Sequence, residues 1–203
     1  MKKTHGVFCV AVLLIAAMVA FTGCDSSDDG LTGGASGKAK YAIGDTGPGG
    51  GRIFYVSGPA GFSSNGVTCH YLEAAPADMS TTLTWSSSSY NHVNISGATE
   101  VGIGRGYAFT EAILAVDTAA PAALVCRNAT YGGKTDWYLP NEHELRIMYA
   151  NIAAIGGFTN DYYWSSTQGN PNYSSAWVQN LVNGDQTNHG KANTYRVRAI
   201  RAF

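Results

Sequence analysis

A chain of 203 residues, 45% hydrophobic and only 13% charged, has room for one domain with a sizeable core and few charges to cover it. Its polar surface must come from Ser, Thr, Asn and Gly. The formal net charge is −1, and with Lys2 and Lys3 set aside 11 basic face 14 acidic side chains. No basic field exists to neutralise phosphates, so nucleic-acid binding is excluded.

The first element in chain order is a leader. Met1-Lys2-Lys3 is a positive start, and "VFCVAVLLIAAMVAF" (7–21) is an uncharged apolar run of 15 residues. That length suits a signal peptide and falls short of the roughly 20 residues that span a bilayer. The run ends in "FTGC" (21–24), which resembles a bacterial lipobox with Phe21 where Leu is usual. Residues 1–23 are therefore expected to be a lipoprotein signal peptide, and Cys24 the diacylated first residue of the mature chain. "DSSDDGLTGGASGKAK" (25–40) has almost nothing to bury, so 24–40 is expected to be a flexible tether. Two acyl chains give a stable anchor, making the membrane a partner through lipidated Cys24.

Once Cys9 leaves with the leader and Cys24 carries lipid, Cys69 and Cys126 remain. An even pair in an exported protein predicts a disulfide between them. It would close a loop of 56 residues and be worth about 4 kcal/mol in the chain-entropy picture.

Residues 41–203 read as one continuous domain. "GRIFYV" (51–56) and "HYLEAA" (70–75) are short strand-like runs. "GYAFTEAILAV" (106–116) carries Phe109, Ile113 and Val116 near helical spacing, and 119–126 is a second helical piece with Pro121 in its first turn. "DWYLPNEHELRIMY" (136–149) contains His143-Glu144, the opening of a helical zinc-protease motif. The second histidine is missing, because Ile147 occupies its position. The segment reads better as a helix start: Asn141 as N-cap, Glu144 three residues on as the return arm of a capping box, and Leu145, Met148, Tyr149 and Ile152 as an apolar stripe. His143 falls on the polar side of that helix.

The C-terminal part reads as strands at 162–166, 176–181 and 194–203, with long loops between. Helices followed by short strands predict an α+β domain rather than a doubly wound sheet. From 160 to 193 there are seven Asn, interleaved with Tyr162, Tyr163, Trp164, Tyr173 and Trp177. Stiff aromatic faces and adaptable amides are what antibody paratopes use, and sugars ask for the same mixture. Trp164 and Trp177 fall within apolar strands and are assigned to the core. Asn172, Tyr173, Asn183, Asp185, Asn188 and His189 are the candidate ligand-binding residues, on loops "NPNYSS" and "NGDQTNHGKAN".

Catalytic readings find little support. "GDTGPGGGR" (44–52) lacks the Gly-Lys-Ser/Thr ending of a phosphate loop and reads as a turn needing positive φ angles. "GIGRG" (102–106) opens a helix and could offer N–H groups to an anion. The carboxylates are scattered with no sequence reason to pair, and no G-x-S-x-G elbow occurs. No cofactor and no metal are expected, and the oligomeric state is not fixed by any feature of the sequence.

"GDTGPGGGRIFYV", "YLEAAPADM", "IGRGYAFTEAI", "DWYLPNEHEL", "YWSST", "AWVQ" and "VRAIRAF" occur in this order over 41–203. Together they resemble the Lcl C-terminal domain family of bacterial exported proteins. The resemblance implies a C-type-lectin-like fold of the formylglycine-generating-enzyme type, in which an Arg-rich strand closes the domain. Members include adhesins that bind sulfated polysaccharides, and relatives of the fold are the variable display proteins of diversity-generating retroelements. The Glu-Pro-Asn calcium motif of C-type lectins stands here as Leu139-Pro140-Asn141, and the reactive cysteine pair of the formylglycine-generating enzymes has no counterpart. Fold likeness therefore does not carry the enzyme activity over. Arg196 and Arg198 are left out of the site, since a closing-strand arginine in this fold pairs inside the domain. The expected function is a lipid-anchored, non-enzymatic, adhesin-like module at the outer membrane or cell surface, recognising a glycan or another host or neighbour macromolecule. The alternatives are an assembly lipoprotein of the envelope with a protein partner, or a retroelement-diversified display protein.

Overall fold

The computed structural model describes residues 40–99 and 102–203. The leader, Cys24 and the tether up to residue 39 lie outside them. Five short strands come first: β1 (Arg52–Val56), β2 (Phe62–Ser64), β3 (Val67–Cys69), β4 (Tyr71–Ala74) and β5 (Ser80–Leu83). Helices α1 (Arg105–Val116), α2 (Pro121–Arg127), α3 (Glu142–Ala150) and α4 (Ile152–Ile155) follow, then β6 (Tyr162–Gln168), β7 (Ser175–Asn180), β8 (Gln186–Gly190), β9 (Tyr195–Val197) and β10 (Ile200–Ala202). They build a three-stranded sheet in the order β1-β4-β10, a β2-β3 hairpin, and a five-stranded sheet in the order β5-β9-β6-β7-β8. All pairings between named strands are antiparallel except β6 with β9. The chain is thus α+β, with helices between two runs of strands.

Two corrections concern the C-terminal strands. The segment 194–203 is two strands in two sheets, parted at Arg198-Ala199. There the Arg198 guanidinium turns inward to Asp78 Oδ1 at 2.7 Å and to the carbonyls of Ala75 at 2.9 Å and Gly157 at 2.6 Å. The loop expected at 183–193 contains β8, whose QTNHG sequence has no alternating apolar residue; it forms by pairing along all of β7 from Ser175 to Gln179.

The larger core cluster gathers Trp85, Phe109, Ile113, Trp137, Trp164 and Val178 where α1 and α2 meet the five-stranded sheet. The second holds Phe54, Leu72, Tyr138, Leu145, Met148 and Tyr163 between α3 and the three-stranded sheet. The expected stripe of α3 supplies Leu145 and Met148 to it, while Tyr149 and Ile152 pack at its margin.

Cys126 contradicts the expected disulfide. It is a free, fully buried thiol in the larger cluster, whereas Cys69 belongs to the second, so no bridge joins them. Burial pushes the Cys126 thiol far above its usual range. An α2 residue facing apolar helices is stabilised as a small hydrophobe, and its sequence gives no sign of that against the cysteine count.

Both glycine-rich stretches close around carboxylates of the protein itself. In 44–51 the N–H groups of Gly49 and Gly51 donate to Glu73 Oε2 and Oε1 at 3.0 and 2.6 Å. Gly44 and Gly50 adopt φ of 91° and 79° to make the turn, as its composition predicts. At the start of α1, Gly104 N donates to Glu144 Oε1 at 2.9 Å, and Gly106 N–H also donates to this carboxylate. The capping box on α3 is complete, with Asn141 N to Glu144 Oε2 at 2.8 Å and Glu144 N to Asn141 Oδ1 at 2.9 Å. One buried carboxylate thereby joins the N-termini of two helices, where partial positive charge gathers. Burial pushes its carboxyl up to about 7 against the pull of those donors.

A buried lysine ties the long 84–99 loop to the sheet. Lys191 Nζ donates to Val93 O at 3.0 Å and Gln168 Oε1 at 2.9 Å and lies 4.5 Å over the Trp85 ring. Burial lowers its pKa from 10.5 to about 8. The folded chain holds this proton less tightly than the unfolded one, so stability climbs as pH rises from about 8 to 10.5. A pH series of urea midpoints is expected to show that climb, about 1–3 kcal/mol, and Lys191→Met is expected to remove it.

Candidate ligand-binding site

Strands β6, β7 and β8 form one flank of the larger sheet, with β8 outermost. Alternation along β7 decides what each face carries. Ala176 and Val178 are buried in the larger cluster with Trp164. Their β8 partners His189 and Thr187 therefore project to that side, whereas Trp177 and Gln179, opposite Asn188 and Gln186, face α3.

On the α3 face, Glu142 straddles β7. Its N–H donates to Thr167 Oγ1 of β6 at 3.0 Å, and its carbonyl accepts from Gln186 Nε2 of β8 at 2.5 Å. Gln179 is fully buried and donates from Nε2 to Gly184 O at 2.7 Å. Trp177, expected in the core, is only half-buried, because the first turn of α3 covers β7 incompletely. Glu142 Oε2 and Gln179 Oε1 are buried without a partner. Burial raises the Glu142 carboxyl, and Arg146 draws it down. His143, one residue on, is half-buried rather than fully solvated and pairs with Arg146 at 2.6 Å.

The opposite face carries a cluster of three rings. The ring centroids of Tyr162 and His189 are 4.9 Å apart, those of Tyr162 and Tyr195 5.3 Å, and those of His189 and Tyr195 5.2 Å. His189 Nδ1 and the Tyr195 hydroxyl share a hydrogen bond of 2.5 Å, and Asn193 Nδ2 donates to the same hydroxyl at 3.3 Å. Tyr195 stands edge-on to Trp164 at 4.9 Å, and Trp164 is fully buried with Nε1 donating to Leu83 O at 2.8 Å. The rings thus have a fixed base, and all three keep part of their surface in solvent. Leu83, opposite Tyr195 on β5, also borders an open groove of about 400 Å³ lined with Met79, Leu124 and Val125.

The six candidate residues do not form one site. Asn172 and Tyr173 are exposed in the β6–β7 loop, where Asn172 Oδ1 accepts from Ser174 N at 3.1 Å. Asn183 and Asp185 lie in the β7–β8 turn and bond each other, Asn183 Nδ2 donating to Asp185 Oδ2 at 2.6 Å and Asp185 N donating to Asn183 Oδ1 at 3.1 Å. The six residues of β7 separate these two turns by about 20 Å. Asn188 is exposed on the α3 face; His189 alone joins the ring cluster. Tyr162 and Tyr195 are the residues that sequence reading missed. They stood inside recognised strands, but meet His189 only because β8 forms and turns back into β9.

Polar groups elsewhere are occupied from within. In "GIGRG" the N–H groups of Gly104 and Gly106 meet Glu144. Arg196 is held by Asp161 at 3.1 Å and Asp78 at 3.3 Å, and Arg201 by Asp136 at 2.8 Å and Glu73 at 3.4 Å. Among the described residues no group of three or more His, Cys, Asp or Glu could hold a metal ion.

In comparison with known proteins, the family described as the Lcl C-terminal domain matches residues 75–201, well over half of the chain. No curated protein matches it.

Proposed function

Because this chain belongs to the Lcl C-terminal domain family, we propose that it is a non-enzymatic, adhesin-like binding module that holds a glycan on the ring cluster of its larger sheet. The Tyr162–His189–Tyr195 arrangement carries this reading. Rings fixed from below and partly exposed, tilted to one another by 44–51°, offer apolar faces to the C–H side of a sugar and lose little side-chain entropy when it binds. The Asn193 amide and the ring hydroxyls supply directional hydrogen bonds at the margin. The buried acids Glu73 and Glu144 are engaged by backbone N–H groups and serve to hold loops, which favours binding over chemistry. The fold is proposed to be C-type-lectin-like, supported by the first and last strands both flanking β4 and by the helices that precede four of the five strands of the main sheet. Lipidation at Cys24, beyond the described residues, would place the module on the outer membrane or cell surface.

The test is a glycan array probed with the mature chain. Tyr162→Ala and His189→Ala are each expected to weaken the best hit about tenfold or more, as loss of a central aromatic contact does at other interfaces. Asn183→Ala, at the far turn, is expected to leave it unchanged. Binding indifferent to both ring substitutions, or no glycan bound at all, sinks the proposal.

A further inference from the structure

Resting on that reading, we propose that the glycan taken by the ring cluster is uncharged, a neutral sugar rather than a sulfated or carboxylated one. Recognition of an anionic group in a partly desolvated site requires a cation or an array of free N–H donors to replace its water. The cations of the C-terminal region are Lys191, Arg196, Arg198 and Arg201, and each is engaged within the protein.

Lys191 is fully buried, its ammonium bonded to Val93 O and Gln168 Oε1. Arg198 and Arg201 have side chains 0% exposed and carboxylate partners at 2.7 and 2.8 Å. Arg196 keeps 18% of its side chain exposed but lies between Asp78 and Asp161, and as the neighbour of Tyr195 along β9 it points to the other face of the sheet. Arg127, on the helix that borders the groove, is paired with Glu111 at 2.5 Å. Asp161, which directly precedes Tyr162, is likewise engaged: it pairs with Arg196 at 3.1 Å on the other face of the sheet. A sulfate stacked on these rings would lose hydration without gaining a counter-charge. A neutral sugar meets only rings, hydroxyls and amides.

The glycine-rich loops do not alter the balance. Their N–H groups would be the other means of binding an anion, but those of Gly49 and Gly51 are taken by Glu73, those of Gly104 and Gly106 by Glu144, and those of Gly44, Gly47 and Gly50 by backbone carbonyls.

The deciding experiment uses the mature chain on an array that presents each glycan in unsulfated and sulfated forms, read at about 50 mM and about 500 mM NaCl, where a Coulombic contribution is strongly screened. The expected result is that hits are unsulfated, that sulfation weakens each at least about tenfold, and that signals at the two salt concentrations agree within about twofold. If sulfated forms bind better and lose their signal at high salt, and Tyr162→Ala abolishes that signal, the charge inference is overturned while the ring cluster stands as the site. If no glycan binds in either form, both fall.

Discussion

Glu144→Ala is expected to lower stability by about 3–5 kcal/mol, the range for removing one member of a buried polar set. It is read as a drop in the urea midpoint at unchanged slope. The carboxylate accepts from Gly104 at 2.9 Å and Asn141 at 2.8 Å and receives the Gly106 N–H and the Tyr138 hydroxyl as well. Alanine would strand these donors in a buried position, since Glu144 itself is 0% exposed. Glu144→Gln keeps one acceptor oxygen and should lose roughly half as much. Gly106→Ala attacks the same joint from the other side, because an added Cβ would overlap the Glu144 carboxylate. A loss below about 1 kcal/mol in Glu144→Ala would show that the two helix starts are not joined through this residue.

Arg201→Ala has a comparable expected effect, again about 3–5 kcal/mol. Its guanidinium is bidentate on Asp136 at 2.8 and 3.0 Å and reaches Glu73 at 3.4 Å, with the side chain 0% exposed. Removal leaves two acids facing each other's field in a dry interior. Glu73 in turn holds the 44–51 loop, so limited proteolysis should cut there sooner in Arg201→Ala than in the parent. Arg201→Lys is expected to recover only part of the loss, since an ammonium cannot reproduce the planar fork. Unchanged proteolysis and an unchanged midpoint would dissociate the loop from the closing strand.

What could be read beforehand follows from how local each signal is. The capping box at Asn141 and Glu144 needs four consecutive residues and one turn of helix, so it was visible at once. The positive-φ turn at 44–51 was equally local. What Glu144 and Glu73 do beyond that depends on residues about 40 and 22 positions away along the chain, and no pattern in a sequence links them. Cys126 illustrates the converse: counting cysteines treats all of them as equivalent, while burial on α2 sets this one apart. Loop composition pointed to His189 but not to Tyr162 and Tyr195, the rings that it meets. A site built from alternate positions of β6, β8 and β9 becomes legible only once the register of QTNHG against β7 is known. That strand has no hydrophobic period to announce itself.

The central place of β4 has a bearing on biosynthesis. Its two neighbours are β1, made shortly before it, and β10, made roughly 130 residues later. As the polypeptide emerges from the ribosome, Tyr71–Ala74 therefore waits with one backbone edge bare until Ile200–Ala202 arrives. The nascent chain is open to holdase chaperones for nearly its whole length. A ribosome stalled before codon 196 would hold a polypeptide unable to complete either main sheet.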